Sequence, residues 1–325
     1  MKKISDKSLT GYTFIDLFAG LGGFRIALES LGAKCVYSNE WDKAAQEVYF
    51  SNFGELPDDD ITKVKAEKVP GHDILCAGFP CQAFSISGKR RGFEDSRGTL
   101  FFDVARIVKA KRPKIVFLEN VKNFASHDSG RTLEVVKDTM NELGYSFDHK
   151  VLNALDYGVP QKRERVYMVC IRNDLGNDRF SFPKSIQLST FLESLLEPSG
   201  SVDHLVSSRQ DIVITADVDS IKNEPKSIRV GTVNKGGQGE RIYSPRGVAI
   251  TLSAYGGGAF AKTGGYMVDG RVRKLSTREC ARVMGFPDSY KIHPKESQAY
   301  KQFGNSVVID VLQAVGSEIG KVLKR

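Results

Sequence analysis

No apolar run in the 325 residues approaches the ~20 needed to cross a bilayer, so a membrane-spanning helix is not expected. The opening Met1-Lys2-Lys3-Ile4-Ser5-Asp6-Lys7 carries charge with no apolar stretch behind it, which argues against a secretory leader. Cysteine is scarce and scattered: Cys35, Cys76, Cys81, Cys170 and Cys280 form no C-x-x-C pair. That pattern speaks against a disulfide framework or a zinc site, and for a reducing compartment where a thiol can work as a thiol. No internal repeat is present. With 41% hydrophobic and 26% charged residues the chain is neither disordered nor fibrous, and its length allows two domains or one with an insertion.

What the chain has in excess is positive charge, 47 basic against 39 acidic residues, a balance that favours a polyanionic partner. The excess is localised. Ile186 to Pro225 holds two basic and seven acidic residues; Lys226 to Lys274 holds nine basic against two acidic, with eleven glycines. Glycine lets backbone approach a ligand and arginine offers a planar fork to phosphate or guanine, so this segment is the candidate polyanion face. A solvated, loop-rich surface is the plainer alternative.

Strand and helix signals alternate through the first half. Apolar runs at 12–18, 35–38, 73–77 and 115–118 read as buried strands. Phe24, Ala27, Leu28 and Leu31 make a helical stripe, as do Leu100 to Val108 and Leu133 to Leu143. Such alternation predicts a doubly wound, mostly parallel α/β sheet with its ligand at the carboxyl ends of the strands. Beyond about Phe180 the periodicity fades into Gly-, Pro- and Ser-rich segments, and it returns in a closing helix from Val308 to Val322. We therefore divide the chain into 1–190, an inserted β- and loop-rich region at 191–275, and a closing segment at 276–325.

Four places carry chemistry. Asp16 to Phe24 reads as strand, glycine turn and helix start, with Glu40 20 residues beyond Gly20. A carboxylate there can accept both hydroxyls of a ribose, and Trp41 beside it offers a flat face to an adenine. Arg25 stands where a dinucleotide fingerprint has its third glycine, so a nucleoside cofactor is favoured over NAD; a plain tight turn is the alternative. Gly78-Phe79-Pro80-Cys81-Gln82 follows the third strand directly, setting a thiol at the rim where ligands bind. An unperturbed thiol of pKa about 8.5 is only a few per cent thiolate at neutral pH, and a lone cysteine is usually buried packing. Glu119-Asn120-Val121 brings a carboxyl group to the same rim, and Gln161-Lys162-Arg163-Glu164-Arg165 brings two arginines on alternate residues; a structural ion-pair cluster is the alternative there. Between Phe84 and Thr99, three glycines bracket a basic stretch that suits a closing lid or an ordinary surface loop.

Together these residues are recognisable. Phe18 to Gly22, Gly78 to Gln82, Glu119 to Val121, Gln161 to Arg165, Arg278-Glu279-Cys280-Ala281-Arg282 and Gln302-Phe303-Gly304-Asn305-Ser306-Val307 match, in order, the motif series of DNA cytosine-C5 methyltransferases. The likeness spans nearly the whole chain. Lys235 to Ser244 and Thr251 to Gly258 resemble most the members of bacterial restriction–modification systems that act on the inner cytosine of GCGC.

The resemblance implies a catalytic set of Cys81, Glu119, Arg163 and Arg165. Cys81 would add to C6 of cytosine so that C5 can take a methyl group. Glu119 would meet the N3 edge, Arg165 would hold O2, and Arg163 would support the site and a nearby phosphate. S-adenosylmethionine is the implied cofactor, leaving as S-adenosylhomocysteine, with no metal. Phe18, Gly20, Gly22, Gly23, Glu40, Trp41, Asp60, Ile61, Pro80, Leu100 and Asn305 match positions around it. The implied partner is double-stranded DNA, with the target base flipped out. Gln238 would fill the vacated space, Ser87 would assist from the lid, and Arg241 would read guanine. Arg97, Thr251, Tyr255 and Gly257 complete the DNA-facing set. A monomer paired with a restriction endonuclease in a bacterial cytoplasm is the implied setting. A tRNA cytosine methyltransferase, a non-catalytic DNA-binding protein and an NAD-dependent oxidoreductase are the competing readings.

Overall fold

The computed structural model describes residues 7–58, 60–80, 100–176, 180–218 and 220–324. These fall into two compact units. The first is drawn from Met1–Leu152, Glu164–Lys184 and Val311–Arg325, the second from Asn153–Arg163 and Ser185–Asp310.

In the first unit the strands are β1 (Thr13–Leu17), β2 (Lys34–Asn39), β3 (Ile74–Ala77), β4 (Ile115–Val121), β5 (Tyr145–Asn153) and β6 (Glu164–Arg172). They form one sheet in the order β2-β1-β3-β4-β6-β5. β2, β1, β3 and β4 pair in parallel, whereas β6 runs antiparallel to β4. The first helices are α1 (Gly23–Ser30), α2 (Lys43–Phe53), α3 (Leu100–Lys111) and α4 (Arg131–Glu142). Side chains alternate across a strand, and the two faces have different covers. Ile15, Leu17, Leu75, Ala77, Val116 and Leu118 pack with Phe101, Val104, Leu133 and Val136 of α3 and α4. On the opposite face the Phe24 ring of α1 meets Phe117 edge-on, with centroids 5.1 Å apart. The closing helix (Ile309–Leu323) joins α1 there: Gln313 donates to the Ser30 hydroxyl, and a Cβ on Gly316 would lie 2.8 Å from Leu31. Each such large apolar side chain removed from water contributes about 1.5–3 kcal/mol.

The chain steps from β1 to β2 on one side and to β3 on the other, so the carboxyl ends of β1 and β3 form the switch point where an open sheet binds its ligand. The mostly parallel sheet follows the expectation; β5 and the reversal of β6 were not foreseen. β5 alternates charged and apolar residues too weakly to stand out, and periodicity carries no information about strand direction.

The second unit is built on β7 (Val213–Ile214), β8 (Ile228–Thr232), β9 (Arg241–Ser244), β10 (Gly265–Val268) and β11 (Arg271–Arg273), in the order β11-β10-β9-β8-β7. Val230, Val233, Ile242, Phe260 and Val272 form its small core. α5 (Thr277–Arg282) and α6 (Glu296–Asn305) follow, and then α7 (Ile309–Leu323). Residues 153–163 and 276–310 thus cluster with the middle region, where the sequence division assigned them to the flanking segments. Side-chain bonds between distant positions, Gln161 to Val283 for example, hold them there, and no local pattern reports such partners. Among the described residues no helix is long and apolar enough to cross a membrane.

Candidate functional site: a glycine turn, a strand-end acid and a glycine-rich recognition surface

β1 ends in a left-handed turn. Phe18 (φ 56°), Gly20 (φ 55°) and Gly22 (φ 73°) all take positive φ, and a Cβ on Gly22 would fall 2.4 Å from the Phe53 ring. The turn is tied to the end of β2 through Glu40, whose carboxylate accepts from Gly20 N and Asp42 N, both at 2.8 Å. Burial pushes the Glu40 carboxyl above its ordinary value, opposed by those two backbone donors. Trp41 follows with its side chain 74% exposed. Arg25 does not leave a gap where a third glycine was missing. Its guanidinium bonds to Tyr49 Oη and Glu55 and lies over the Phe53 ring, so packing between α1 and α2 takes up the position. Asp60 caps a short turn by accepting from the Thr62 N–H and hydroxyl at 3.0 and 2.8 Å, and these bonds hold its carboxyl below the usual range. Ile61 is buried beside it, while Pro80 is exposed and Leu100 opens α3. These groups suit a nucleoside: each Glu40 oxygen keeps a lone pair for a ribose hydroxyl, next to an open indole face.

Sequence reading passed over Asp16. It is fully buried in β1, and neither carboxyl oxygen has a hydrogen-bond partner among the described residues. Desolvation drives its pKa far upward, against the attraction of Arg25. One acid inside Thr13-Phe14-Ile15-Asp16-Leu17 was the available signal.

At the carboxyl end of β4, Glu119 is 7% exposed and its Oε1 lies 3.3 Å from Arg165 Nε. The antiparallel register explains the pair: Glu119 lies opposite Tyr167 and Val121 opposite Arg165, making Glu119 and Arg165 diagonal neighbours. Arg165 also donates to Glu164 O, and Lys122 pairs with the Glu164 carboxylate at 3.0 Å. Asn120 donates to Phe79 O at 3.0 Å, fixing the residue that precedes Pro80. Cys81, Ser87, Arg97 and the proposed lid lie outside the described residues. The other four cysteines are buried, and burial raises their thiols, Cys35 to about 12, so they behave as packing.

Arg163 requires a correction. It was expected to share one side with Arg165 and to reach toward a phosphate. Instead it precedes β6, is 2% exposed, and spends its terminal nitrogens on the carbonyls of Leu252 (3.1 Å), Gly304 (3.0 Å) and Ser306. Its terminal nitrogens are thus taken up by backbone carbonyls.

In the second unit, Gln238 and Tyr255 are exposed and Arg241 is half-buried, its Nε 3.4 Å from Gly236 O. Two glycine turns meet backbone to backbone. A Cβ on Gly239 would lie 2.0 Å from Gly257 O, and one on Gly258 would lie 2.7 Å from Gly239 O. The Gln238 turn and the Tyr255–Gly258 turn are therefore one surface. Thr251 is turned back, its hydroxyl donating to Lys162 O. Asn305 is exposed at the end of α6.

The model of the C-5 cytosine-specific DNA methylase family matches residues 12–321. The chain is 70% identical over 323 residues to the Type II methyltransferase M.HhaI of Haemophilus parahaemolyticus, covering 99% of this chain and 98% of that protein. It is 42% identical to M.HpaII of Haemophilus parainfluenzae, covering 95% and 89%. Among solved structures, the Dnmt2 methyltransferase of S. pombe has the same fold at 20% identity, with a TM-score of 0.71 over 96% of this chain and 98% of that one. With that match along nearly its full length, the chain belongs to the C-5 cytosine-specific DNA methylase family.

Proposed function

We propose that this methyltransferase acts on the inner cytosine of GCGC in duplex DNA through a covalent adduct with Cys81. On this reading it is a monomer, half of a restriction–modification pair with a cognate endonuclease, in a bacterial cytoplasm. On this reading the glycine turn and the Glu119–Arg165 pair of the first unit serve cofactor and target base, and Gln238, Arg241 and Tyr255 of the second unit read the duplex. The observation that carries the chemistry is the Glu119–Arg165 pair, an acid and a cation 3.3 Å apart at the carboxyl end of β4.

S-adenosylmethionine, when bound, supplies an electrophilic methyl carbon on its sulfonium. Glu40 would accept from the ribose hydroxyls, Trp41 would face the adenine, and the Phe18–Gly23 turn would let the backbone come close. The Cys81 thiolate forms a bond to C6 of the flipped cytosine. Glu119 gives a proton toward N3 and Arg165 holds O2, so the ring electrons gather at C5 rather than remaining on an unstabilised anion. A bound donor would then give its methyl carbon to C5, the electron pair of the broken C–S bond leaving with S-adenosylhomocysteine. Loss of the C5 proton to a base and departure of Cys81 from C6 restore the aromatic ring. Arg241 contributes about 1–3 kcal/mol of discrimination for one guanine, and Gln238 occupies the space the base has left. The 70% identity to a Type II methyltransferase supports the restriction–modification assignment; the resemblance carried by Lys235 to Ser244 and Thr251 to Gly258 supports the GCGC site.

A duplex carrying 5-fluorocytosine tests this, because the adduct cannot lose its C5 substituent. With methyl donor, the parent chain is expected to give a denaturation-stable complex at GCGC and Cys81→Ser none. Adduct formation at another tetranucleotide refutes the site, adduct with tRNA alone refutes the substrate, and methylation by Cys81→Ser refutes the covalent step.

A further inference from the structure

The basic segment Lys226 to Lys274 holds two acids, Glu240 and Asp269, and Glu240 stands directly before Arg241. An acid on a face meant for phosphates needs a reason, and its contacts supply one. β8 and β9 pair at Thr232 and Arg241, so residues 233–240 form the connection of a hairpin, with Gln238 inside it. Glu240 closes that connection. One carboxylate oxygen accepts from Gly237 N and the other from Asn234 Nδ2, both at 2.9 Å, and its carbonyl accepts from Val233 N at 2.9 Å. Asn234 takes a left-handed φ of 47°, which asparagine tolerates better than most side chains. Its Oδ1 accepts from Arg209 Nη2 at 2.6 Å, and its backbone N–H donates to Asp211 Oδ2 at 2.9 Å. Arg209 in turn grips Asp211 with two bonds, from Nε at 2.8 Å and from Nη2 at 2.7 Å.

The amide of Asn234 has one orientation that satisfies both neighbours: its oxygen can only accept, from the guanidinium, and its NH2 can only donate, to the carboxylate. An isolated exposed ion pair contributes little to global stability, but a bidentate arginine–carboxylate pair joined to a chain of further bonds holds its members in one geometry. We propose that Asn234, held by Arg209 and Asp211, is a positioning residue for Gln238: through Glu240 it clamps the two ends of the 233–240 connection, so that Gln238 meets the duplex already ordered, a role that rests on the reading of Gln238 as the residue that fills the space of the flipped base. A loop ordered in advance spares the entropy of ordering it on binding. That gain falls on the matched sequence alone, because phosphate contacts position a protein on any duplex and carry no sequence information.

The test uses the full chain and two duplexes, one with the tetranucleotide that the parent chain methylates and one with that tetranucleotide scrambled. Dissociation constants are read by fluorescence anisotropy. Asn234→Gly keeps the left-handed turn and deletes both side-chain bonds. Its affinity for the matched duplex is expected to fall about 5–30-fold, while affinity for the scrambled duplex stays within about 2-fold. Asn234→Asp keeps the bond from Arg209 but sets a carboxylate against Glu240, and a matched-duplex loss at least as large is expected. Arg209→Met leaves Asn234 joined to Glu240; a smaller loss, again on the matched duplex alone, is expected, and this variant decides the matter if Asn234→Gly does not fold by circular dichroism. In a Gln238→Ala background, Asn234→Gly is expected to cost less than about 2-fold, because the side chain it positions is gone. A merely structural role lowers affinity for both duplexes in parallel and adds fully to Gln238→Ala, so either result, or an unchanged matched affinity in the folded variants, overturns the proposal. A parent chain that binds the two duplexes equally, or neither, overturns the functional reading beneath it instead, which separates the two failures.

Discussion

Glu279→Gln changes one atom and one charge in the interior of the second unit. The Glu279 carboxylate is fully buried and accepts from Arg273 Nη1 (2.8 Å) and Nη2 (2.7 Å), from Ser276 N (2.8 Å) and from Glu197 N (2.7 Å). It also closes a capping box at the start of α5, where Ser276 Oγ accepts from Glu279 N at 3.0 Å. Glutamine keeps one acceptor oxygen and turns an NH2 group toward N–H donors. Arg273, with its side chain 3% exposed, keeps its charge but loses the counter-charge. Removing one partner of a buried ion pair costs about 3–5 kcal/mol, most of it the penalty for the charge left behind. At a urea slope of about 3 kcal/mol/M this moves the unfolding midpoint down by about 1–1.7 M. Trp41, the only tryptophan, lies in the first unit, so its fluorescence reports that unit, and amide exchange at residues 273–279 reports the loss where it occurs. Replacing both members, Arg273→Met with Glu279→Leu, is expected to recover most of the stability because no charge remains buried. A single variant within 1 kcal/mol of the parent, or a double variant no better than the single, refutes the reasoning.

Three other perturbations have defined outcomes. Asp16 has a raised folded-state pKa, so above about pH 4 the unfolded chain releases its proton first, and the acid costs stability at up to about 1.4 kcal/mol per pH unit until the folded pKa is reached. Asp16→Asn is therefore expected to match the parent near pH 3 and exceed it at pH 7; a less stable variant at pH 7 contradicts this. Gly239→Ala drives a methyl group against Gly257 O, a steric cost of about 1–3 kcal/mol, and is expected to weaken duplex binding while S-adenosylhomocysteine binding persists, as titration calorimetry of both would report. Cys35, Cys76, Cys170 and Cys280 are expected to react with a disulfide reagent only as fast as the protein opens, so labelling of these four in the native protein at the rate of a free peptide thiol contradicts their burial.

Much of the first unit was legible because its signals are local. The buried runs at β1, β3 and β4, the stripes of α3 and α4 and the glycine turn each follow from neighbours in the chain, and Glu40 lay at the spacing a strand–helix–strand unit imposes. Glu119 and Arg165 could be nominated from their motifs. That they touch depends on β6 running antiparallel to β4 in one particular register, which neither segment encodes alone. Arg163 and Arg165 show the limit most clearly. Two residues apart and chemically identical, they were read as one cluster, yet one meets a carboxylate at 3.3 Å and the other is sealed among backbone carbonyls. Asp16 escaped notice because its unusual property is complete burial of an acid, which a sequence does not record.

Pattern and composition by themselves determined the α/β class, the glycine turn after the first strand, the basic glycine-rich segment and, through an ordered series of motifs, the family. These depend on short-range sterics, periodic burial and the fixed order of chemical groups along the chain. Tertiary structure alone decided which acid meets which arginine, why Gly239 and Gly304 must lack side chains, and which peptide units Gln161 and Arg163 hold. Those outcomes depend on ångström-scale distances between residues tens to more than a hundred positions apart, and such distances exist only once the chain has packed.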